Sequence, residues 1–443
     1  TNSNEAPLRK LMGPGPLDIH PRVYRALTSP VIGHMDPAYF KTLDQIGDRL
    51  RRVFQTQNRL THATPGTGTS GMEACVANLI EPADPVLICV HGYFGDRLRQ
   101  MAERQEADVT VIEGEWGRPT DPQQIKEAFQ SKDYKVMALV HAETSTGVQQ
   151  PMDDIVRLAR EYDTMVVLDT VTSLGGVEIK VDEWGLDAAY SCSQKCIGAP
   201  PGLAPVTFSD RAIEAARNRK HPIRSWYLDI TLLEQYWGSA PRVYHHTSSS
   251  TLNYALLEAL LLIEEEGLQN RFERHLNNHQ ALVAGVEAMG LEMLVTPEHR
   301  LPTLNTIRVP DGVDEAKVRT YLLQTFNLEI GAGLGALAGQ VWRVGLMGYS
   351  SSAENVLFFL SAISRALADA KRLCVLECLS KGERSVSDLS REASCQVPNM
   401  SQHLAVLRAA GLVESRREGN TVLYRLTDPR ILEAYQLIRS VAD

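Results

Sequence analysis

The sequence predicts an α/β protein built on a mostly parallel sheet with both faces covered, and three observations carry that expectation. Met165-Val166-Val167-Leu168 is an apolar run that stops on an acid, Asp169. Ala188-Ala189-Tyr190 is a second, shorter run, and Ser193-Gln194-Lys195 follows it closely. Val136 to Val140 is a third, with His141-Ala142-Glu143-Thr144 at its end. Runs of this length with β-branched content suit strands buried on both faces, and such sheets carry their ligands at the strands' carboxyl ends. Asp169 and Lys195 are therefore expected to meet at one ligand.

Alone, each of these two residues says little. An acid at a strand end is commonly a turn or cap residue, and a lysine is commonly solvated. Together they match what a pyridoxal phosphate enzyme needs. The lysine holds the aldehyde as a Schiff base, and the carboxylate keeps the pyridine nitrogen protonated so that the ring accepts electrons.

Six landmarks occur in one order: Thr67-Gly68-Thr69-Ser70-Gly71-Met72-Glu73, His141-Ala142-Glu143-Thr144-Ser145-Thr146-Gly147, Val167-Leu168-Asp169, Ser193-Gln194-Lys195, Tyr244-His245-His246-Thr247 and Trp342-Arg343-Val344-Gly345. On these the chain resembles a class V aminotransferase of the alanine(serine)–glyoxylate kind, from Gly13-Pro14-Gly15-Pro16 to about Ala370. The resemblance implies pyridoxal phosphate fold type I: a large domain with a mostly parallel seven-stranded sheet and a small α+β domain. It also implies that Thr67, Gly68, Thr69, Phe94, Thr144, Val171 and Gln194 hold the cofactor together with Asp169 and Lys195. Tyr244 and Thr247 would reach the phosphate of the other subunit's cofactor, making a homodimer with shared sites. Gly15 and Arg343 would face the substrate.

Composition sets the outer limits. The chain has 443 residues, 44% of them hydrophobic and 22% charged, which is ordinary for a globular protein of two or three domains. No apolar run reaches the roughly 20 residues a spanning helix needs, and the polar start Thr1-Asn2-Ser3-Asn4-Glu5 is unlike a signal peptide. A cytoplasmic protein without a membrane partner is expected. The 7 cysteines are scattered, which argues against a disulfide framework and a zinc site. Cys192 and Cys196, on either side of Lys195, read as buried packing residues. From Lys371 onward 11 Lys and Arg face 9 Asp and Glu, whereas residues 1–370 hold 34 against 45. The C-terminal part is the basic part, which is compatible with a nucleic-acid partner and does not demand one.

Taken in order, residues 1–20 read as an extended arm, because Gly13-Pro14-Gly15-Pro16 forbids a helix. Residues 21–255 would form the large domain and 256–368 the small one. Pro65-Gly66-Thr67-Gly68-Thr69 is a turn leading into a helix from Ser70, and exposed amides at a helix start suit a phosphate. It precedes Val86 to Val90, which is expected to be the first strand of the sheet. By resemblance Phe94 stacks on the pyridine face where many relatives carry tryptophan; core packing is the rival reading. His141 at a strand end reads as structural and stays outside the catalytic set. Leu203 to Phe208 is expected to be the last strand. His245 and His246 do not read as a metal motif, because adjacent side chains are expected to point apart and no third ligand stands nearby. Helices are expected over Leu252 to Glu266 and Leu268 to Met289.

The small domain's strands are expected at Thr303 to Arg308, Leu328 to Ile330 and Val341 to Val344, with Gly331-Ala332-Gly333-Leu334-Gly335 a flexible loop on the substrate side. Arg343 stands inside an apolar strand. A planar guanidinium binds a carboxylate through two parallel hydrogen bonds, and the resemblance assigns it to the amino acid's α-carboxylate. An internal salt bridge is the alternative.

Residues 369–443 resemble a winged helix-turn-helix of the ArsR type, carried by Leu373-Cys374-Val375-Leu376, Ser385-Val386-Ser387-Asp388-Leu389 and Met400-Ser401-Gln402-His403-Leu404. Ser401, Gln402 and His403 would face base edges of double-stranded DNA, and Arg416, Arg417 and Arg425 would meet phosphates. The cysteine pair with which that family senses metals is missing. A domain kept only for docking is the alternative.

Two functions from different classes follow. One is an aminotransferase moving an amino group from alanine or serine to a small 2-oxo acid such as glyoxylate, with an appended DNA-binding domain that makes it a regulator. The other is a regulator whose aminotransferase-like part only senses pyridoxal phosphate or an amino acid. The filled positions favour the first. In it the substrate amine displaces Lys195, whose freed amine takes the α-proton and redelivers it, while Asp169 holds the ring as an electron sink. No Gly, Pro or Ser-rich spacer follows Ala353 to Ala370, so the winged helix should be held stiffly.

Overall fold

A computed structural model describes residues 6–238, 241–419, 421–428 and 430–431. Residues 1–5 of the expected arm and 432–443 of the expected C-terminal domain lie outside the described residues.

The large sheet has seven strands, in the order Leu60–Pro65, Leu203–Phe208, Ala188–Tyr190, Met165–Asp169, Val136–Val140, Pro85–Val90 and Asp108–Glu113. Leu203–Phe208 runs antiparallel to both neighbours, and every other pairing is parallel. Side chains alternate between faces. Leu87, Met137, Leu139, Val166 and Leu168 join one hydrophobic cluster, and Val86, Ile88, Val136, Ala138, Met165 and Val167 join the other. Burial on both faces is why these strands read as unbroken apolar runs.

Two strands escaped the sequence reading. Val86 is not in the first strand of the sheet, because Leu60–Pro65 precedes it and pairs with Leu203–Phe208. Leu60–Pro65 is buried yet carries Thr61, His62 and Thr64, so its pattern is polar. Its polar atoms are partly matched: Thr61 Oγ1 lies 2.8 Å from Thr207 Oγ1, and Thr64 Oγ1 lies 3.2 Å from His62 Nε2. Asp108–Glu113 forms the far edge beside Pro85–Val90, and its side chains are mostly half-buried or exposed.

Helix Ser250–Glu266 packs through Ala255, Leu256, Ala259, Leu260 and Ile263 into the large-sheet core. Helix Leu268–Ala288 follows and adds Leu282 and Val286 to a separate cluster with Trp342, Val344, Phe359 and Ile363. That cluster surrounds an antiparallel sheet of Leu304–Arg308, Val341–Gly345 and Gly331–Ala332. Two expectations are corrected here. Leu328–Glu329 pairs with Lys10–Leu11 of the arm, outside that sheet. Gly331 and Ala332, read as flexible loop, form an edge strand opposite Arg343 and Trp342.

The arm is held along its length. Met12 is fully buried, its amide donates to the Glu329 carbonyl at 2.9 Å, and its carbonyl accepts from Gly345 N at 2.8 Å. Further on, Asp18 N donates to Ser350 Oγ at 3.1 Å, which itself donates to the Leu11 carbonyl at 3.1 Å.

One helix, Ala353–Ser380, belongs to two cores. Val356, Phe359, Ala362, Ile363 and Ala366 lie in the small-domain cluster, whereas Val375, Leu376, Cys378 and Leu379 lie in a C-terminal cluster with Leu389, Met400, Leu404 and Val413. Helices Val386–Glu392 and Val397–Ala409 and a hairpin of Val413–Glu418 with Thr421–Leu426 complete a winged helix. Among the described residues no helix is long and apolar enough to cross a membrane.

Candidate active site

Strand register assembles the site. Val140, Asp169 and Tyr190 are successive partners at the carboxyl ends of three adjacent strands, so Asp169 lies against Tyr190. The Asp169 carboxylate accepts from Val171 N at 2.8 Å and from the Tyr190 hydroxyl at 2.7 Å. Burial lifts its pKa to about 7, against the pull of those two donors. A cationic group beside it would favour the ionised form, which is what a protonated pyridine nitrogen supplies.

Lys195 sits in a tight turn, Ser193–Ile197, with backbone angles of −110° and −130° that break the helical path. Burial pushes its ammonium below the ordinary value, partly offset by Cys192, and the Arg343 cation lowers it further. Its Nζ donates to the Pro14 carbonyl. Lys195 and Asp169 are both buried, and the charge of each favours the ionised form of the other. Burial pushes the thiols of Cys192 and Cys196 up to about 12, so both are inert at neutral pH.

Thr67 is the N-cap residue of helix Gly68–Leu79; Ser70 N and Gly71 N donate to its carbonyl, and the earlier amides of Gly68 and Thr69 precede any carbonyl of the helix. A Cβ on Gly68 would lie 2.8 Å from Val171 Cγ2 and 3.3 Å from Cys192 Cβ, so only glycine lets this turn approach the Asp169 segment. Thr69 Oγ1 accepts from Arg97 at 2.9 Å, and the same guanidinium lies 4.9 Å from the centre of the Phe94 ring. Arg97 was missed in the sequence. Its contact with Thr69 joins stretches 28 residues apart, which no local pattern signals.

Thr144 Oγ1 bonds to Thr172 Oγ1, and Gln194 Oε1 is buried without a hydrogen-bond partner. That orphaned acceptor, the glycine-lined cradle at Gly68, the buried acid and the buried lysine together fit pyridoxal phosphate. His141 is buried, held neutral by a pKa lowered to about 4 through burial, and packs 5.6 Å from Trp184. Its Nδ1 is buried without a hydrogen-bond partner.

Arg343 is 5% exposed and makes no salt bridge among the described residues. Its Nε donates to the Ala332 carbonyl at 2.6 Å and its Nη1 to the Thr144 carbonyl at 2.9 Å. Nη2 and one hydrogen of Nη1 remain for a ligand. Burial lowers its pKa to about 10, which leaves it cationic at neutral pH.

Tyr244 and Thr247 are exposed and touch none of these groups within one chain. His245 and His246 do not point apart as expected: their Nδ1 atoms lie 2.8 Å from each other, and Trp226 stacks on His245 at 4.5 Å. Among the described residues no cluster of three or more His, Cys, Asp or Glu is arranged to hold a metal.

On the winged helix, Ser401 and Gln402 are exposed on helix Val397–Ala409. His403 is half-buried instead of facing outward with them, and burial followed by the cations Arg372 and Lys371 lowers its pKa. On the hairpin Arg416 pairs with Glu383 at 2.6 Å and Arg425 with Glu414 at 2.7 Å. Arg417 donates to the Gly419 carbonyl and pairs with no acid among the described residues.

The likenesses to known proteins agree with this geometry. The family model "Aminotransferase class-V" matches residues 24–357, and that of "Bacterial regulatory protein, arsR family" matches residues 369–415. The (S)-ureidoglycine–glyoxylate transaminase of Bacillus subtilis is 41% identical over 82% of this chain and 91% of its own length. The alanine–glyoxylate aminotransferase of Drosophila melanogaster is 43% identical over 82% and 94%. A crystal structure of the alanine–glyoxylate aminotransferase of a Nostoc species superposes with a TM-score of 0.81, at 49% identity over 83% of this chain and 97% of that one. With that family model over most of its length and relatives at 41% and 43% identity, this chain belongs to the pyridoxal phosphate-dependent class-V aminotransferases, here with an arsR-type winged helix following.

Proposed function

We propose that this aminotransferase takes its amino group from a small donor, alanine or serine, and passes it to a small 2-oxo acid such as glyoxylate. The observation that carries this reading is Arg343: a buried cation with three N–H bonds unengaged, close enough to lower the Lys195 pKa. A carboxylate seated there would place an amino acid's α-carbon near Lys195 Nζ. No second arginine stood out in the sequence to clamp a side-chain carboxylate. The relatives named for glyoxylate support the acceptor.

Thr67, Gly68, Thr69, Phe94, Thr144, Val171 and Gln194 would hold the cofactor, and Asp169 would be the acid that pairs with its ring nitrogen. When bound, pyridoxal phosphate supplies the electron sink that makes the α-proton labile. Lys195 Nζ takes that proton and returns it, and burial, by lowering its pKa, favours the neutral amine this requires. Arg343 orients the substrate, and the arm at Pro14 and Gly15 closes over Lys195.

A homodimer with Tyr244 and Thr247 completing the partner's site is supported by the exposure of the large apolar side chains Trp226, Tyr227, Val243 and Tyr244, since grouped exposed apolar residues mark interaction surfaces. Free cysteines throughout suit the cytoplasm. Exposed Ser401, Gln402 and Arg417 support double-stranded DNA as partner of the winged helix. The deciding experiment is a half-reaction panel: the loaded protein is mixed with each amino acid and its absorbance followed, then restored with each 2-oxo acid. Alanine or serine should convert it and glyoxylate restore it. A clear preference for glutamate would sink the small-donor reading, and no conversion by any amino acid would favour a sensor.

A further inference from the structure

The helix Tyr93–Arg104 starts without a capping side chain of its own. Its N-cap residue is Gly92, and the cap comes from another strand end. The carboxylate of Glu143, fully buried, accepts from Phe94 N at 3.2 Å, from Gly95 N at 3.2 Å, from Ser145 N at 3.0 Å and from Ser145 Oγ at 2.6 Å. Ser145 Oγ in turn accepts from Tyr93 N at 2.9 Å. A carboxylate at a helix N-terminus meets both unsatisfied amides and the positive end of the helix dipole. Gly92 is what permits it, since a Cβ there would lie 2.3 Å from Glu143 Cγ.

The same turn reaches the other half of the site. Thr144, next in sequence, gives its carbonyl to Arg343 Nη1 at 2.9 Å and its hydroxyl to Thr172. The Glu143 charge also acts on Arg343 and on Asp169. One buried acid therefore anchors the start of the helix that carries Phe94, and the turn that carries the Arg343 acceptor.

We propose that Glu143 is a positioning residue that fixes the Phe94 ring and the Arg343 guanidinium in one frame. This rests on the reading of Phe94 as the ring over the cofactor and of Arg343 as the carboxylate clamp. The Glu143 side chain touches neither substrate nor cofactor in this role; it acts through backbone amides.

The test compares Glu143→Gln, Glu143→Ala and the milder Ser145→Ala with the wild-type protein. Without cofactor, hydrogen exchange of the peptide spanning 93–104 should speed up about tenfold or more in Glu143→Ala, the loss of roughly one net hydrogen bond to a charged acceptor. With cofactor, its visible circular dichroism should fall, and KM for the amino acid should rise about tenfold while kcat falls less. Glu143→Gln, which keeps one acceptor, should recover part of each effect, and Ser145→Ala should show the exchange effect at reduced size. Phe94→Leu separates the layers. If it leaves the dichroism unchanged, the reading of Phe94 fails and the proposal with it. If Phe94→Leu moves the dichroism and all three capping variants leave both exchange and dichroism at wild-type values, the proposal alone is overturned.

Discussion

A Cβ built on Gly15 would stand 2.7 Å from Lys195 Cδ and 2.9 Å from Cε, so the arm closes over the lysine with no room for any other residue. Gly15 also has φ near +100°, a region that side chains rarely adopt. Gly15→Ala must either move the arm or displace Lys195. Displacement of a reacting amine by about 1 Å costs on the order of 100-fold. Steady-state kinetics should show kcat/KM falling by about that factor, and a value within twofold of the wild type would show that the contact is dispensable.

Asp169 gives a pH prediction with a defined sign. Burial raises its folded pKa to about 7, above the ordinary 3.8, so in the protein without cofactor its contribution to stability is present in full below pH 4 and is lost as pH rises towards 7. Buried histidines such as His141, lowered to about 4, slope the other way, so the wild-type curve alone is uninformative. The difference between wild type and Asp169→Asn isolates the acid. Melting temperatures should shift in favour of the variant across that interval, and parallel curves from pH 4 to 7 would remove the assignment of a buried, reluctant carboxylate.

Arg343→Lys keeps the charge and loses the fork. Hydrogen bonds from a charged donor are worth about 1.5–3 kcal/mol each, and a point ammonium cannot reach both carbonyls and a carboxylate together. KM for the amino donor should rise on the order of 10- to 100-fold, with kcat changing less. Should kcat fall while KM stays put, Arg343 would be acting on the chemistry of Lys195 and not as a clamp.

What was legible in the sequence was whatever a strand buried on both faces writes plainly. Val136–Val140 is an unbroken apolar run and Met165–Asp169 one that stops on an acid, and the candidate site lies at and just beyond their ends. Leu60–Pro65 was illegible because it buries threonines and a histidine whose polar atoms are matched in part by one another or by Thr207, far along the chain. Gly331 and Ala332 looked like loop because glycine is poor in strands, yet here it lets the edge strand lie against Pro14, whose Cδ a Cβ on Gly331 would approach to 2.5 Å. Glu143 stood inside a recognised motif and was passed over. A strand-end acid has many uses, and its partners at Phe94 and Gly95 lie almost 50 residues away.

The last prediction concerns the helix Ala353–Ser380, whose 28 residues span roughly 42 Å. Its first turns pack on the small domain, and its last turns pack in the winged helix. Its cap, Ser352, lies two residues beyond Ser350, which bonds the arm at Leu11 and Asp18. The arm in turn carries the Pro14 carbonyl that Lys195 engages. Substrate that changes the Lys195 contact would then act along this connection on the winged helix, since a bound effector shifts an equilibrium by its differential affinity for two arrangements. In a dimer two winged helices would stand at one separation, so the site should be palindromic with one half-site spacing, and affinity should fall steeply as salt rises. Selection from random DNA followed by gel shift at fixed salt should recover such a site, bound differently with and without alanine. A Gly-Ser insertion after Arg365, an exposed position, should relax the spacing and abolish the effect of alanine. No enriched site would leave the winged helix as a docking module, whereas one bound equally in both conditions would keep DNA binding and remove the coupling.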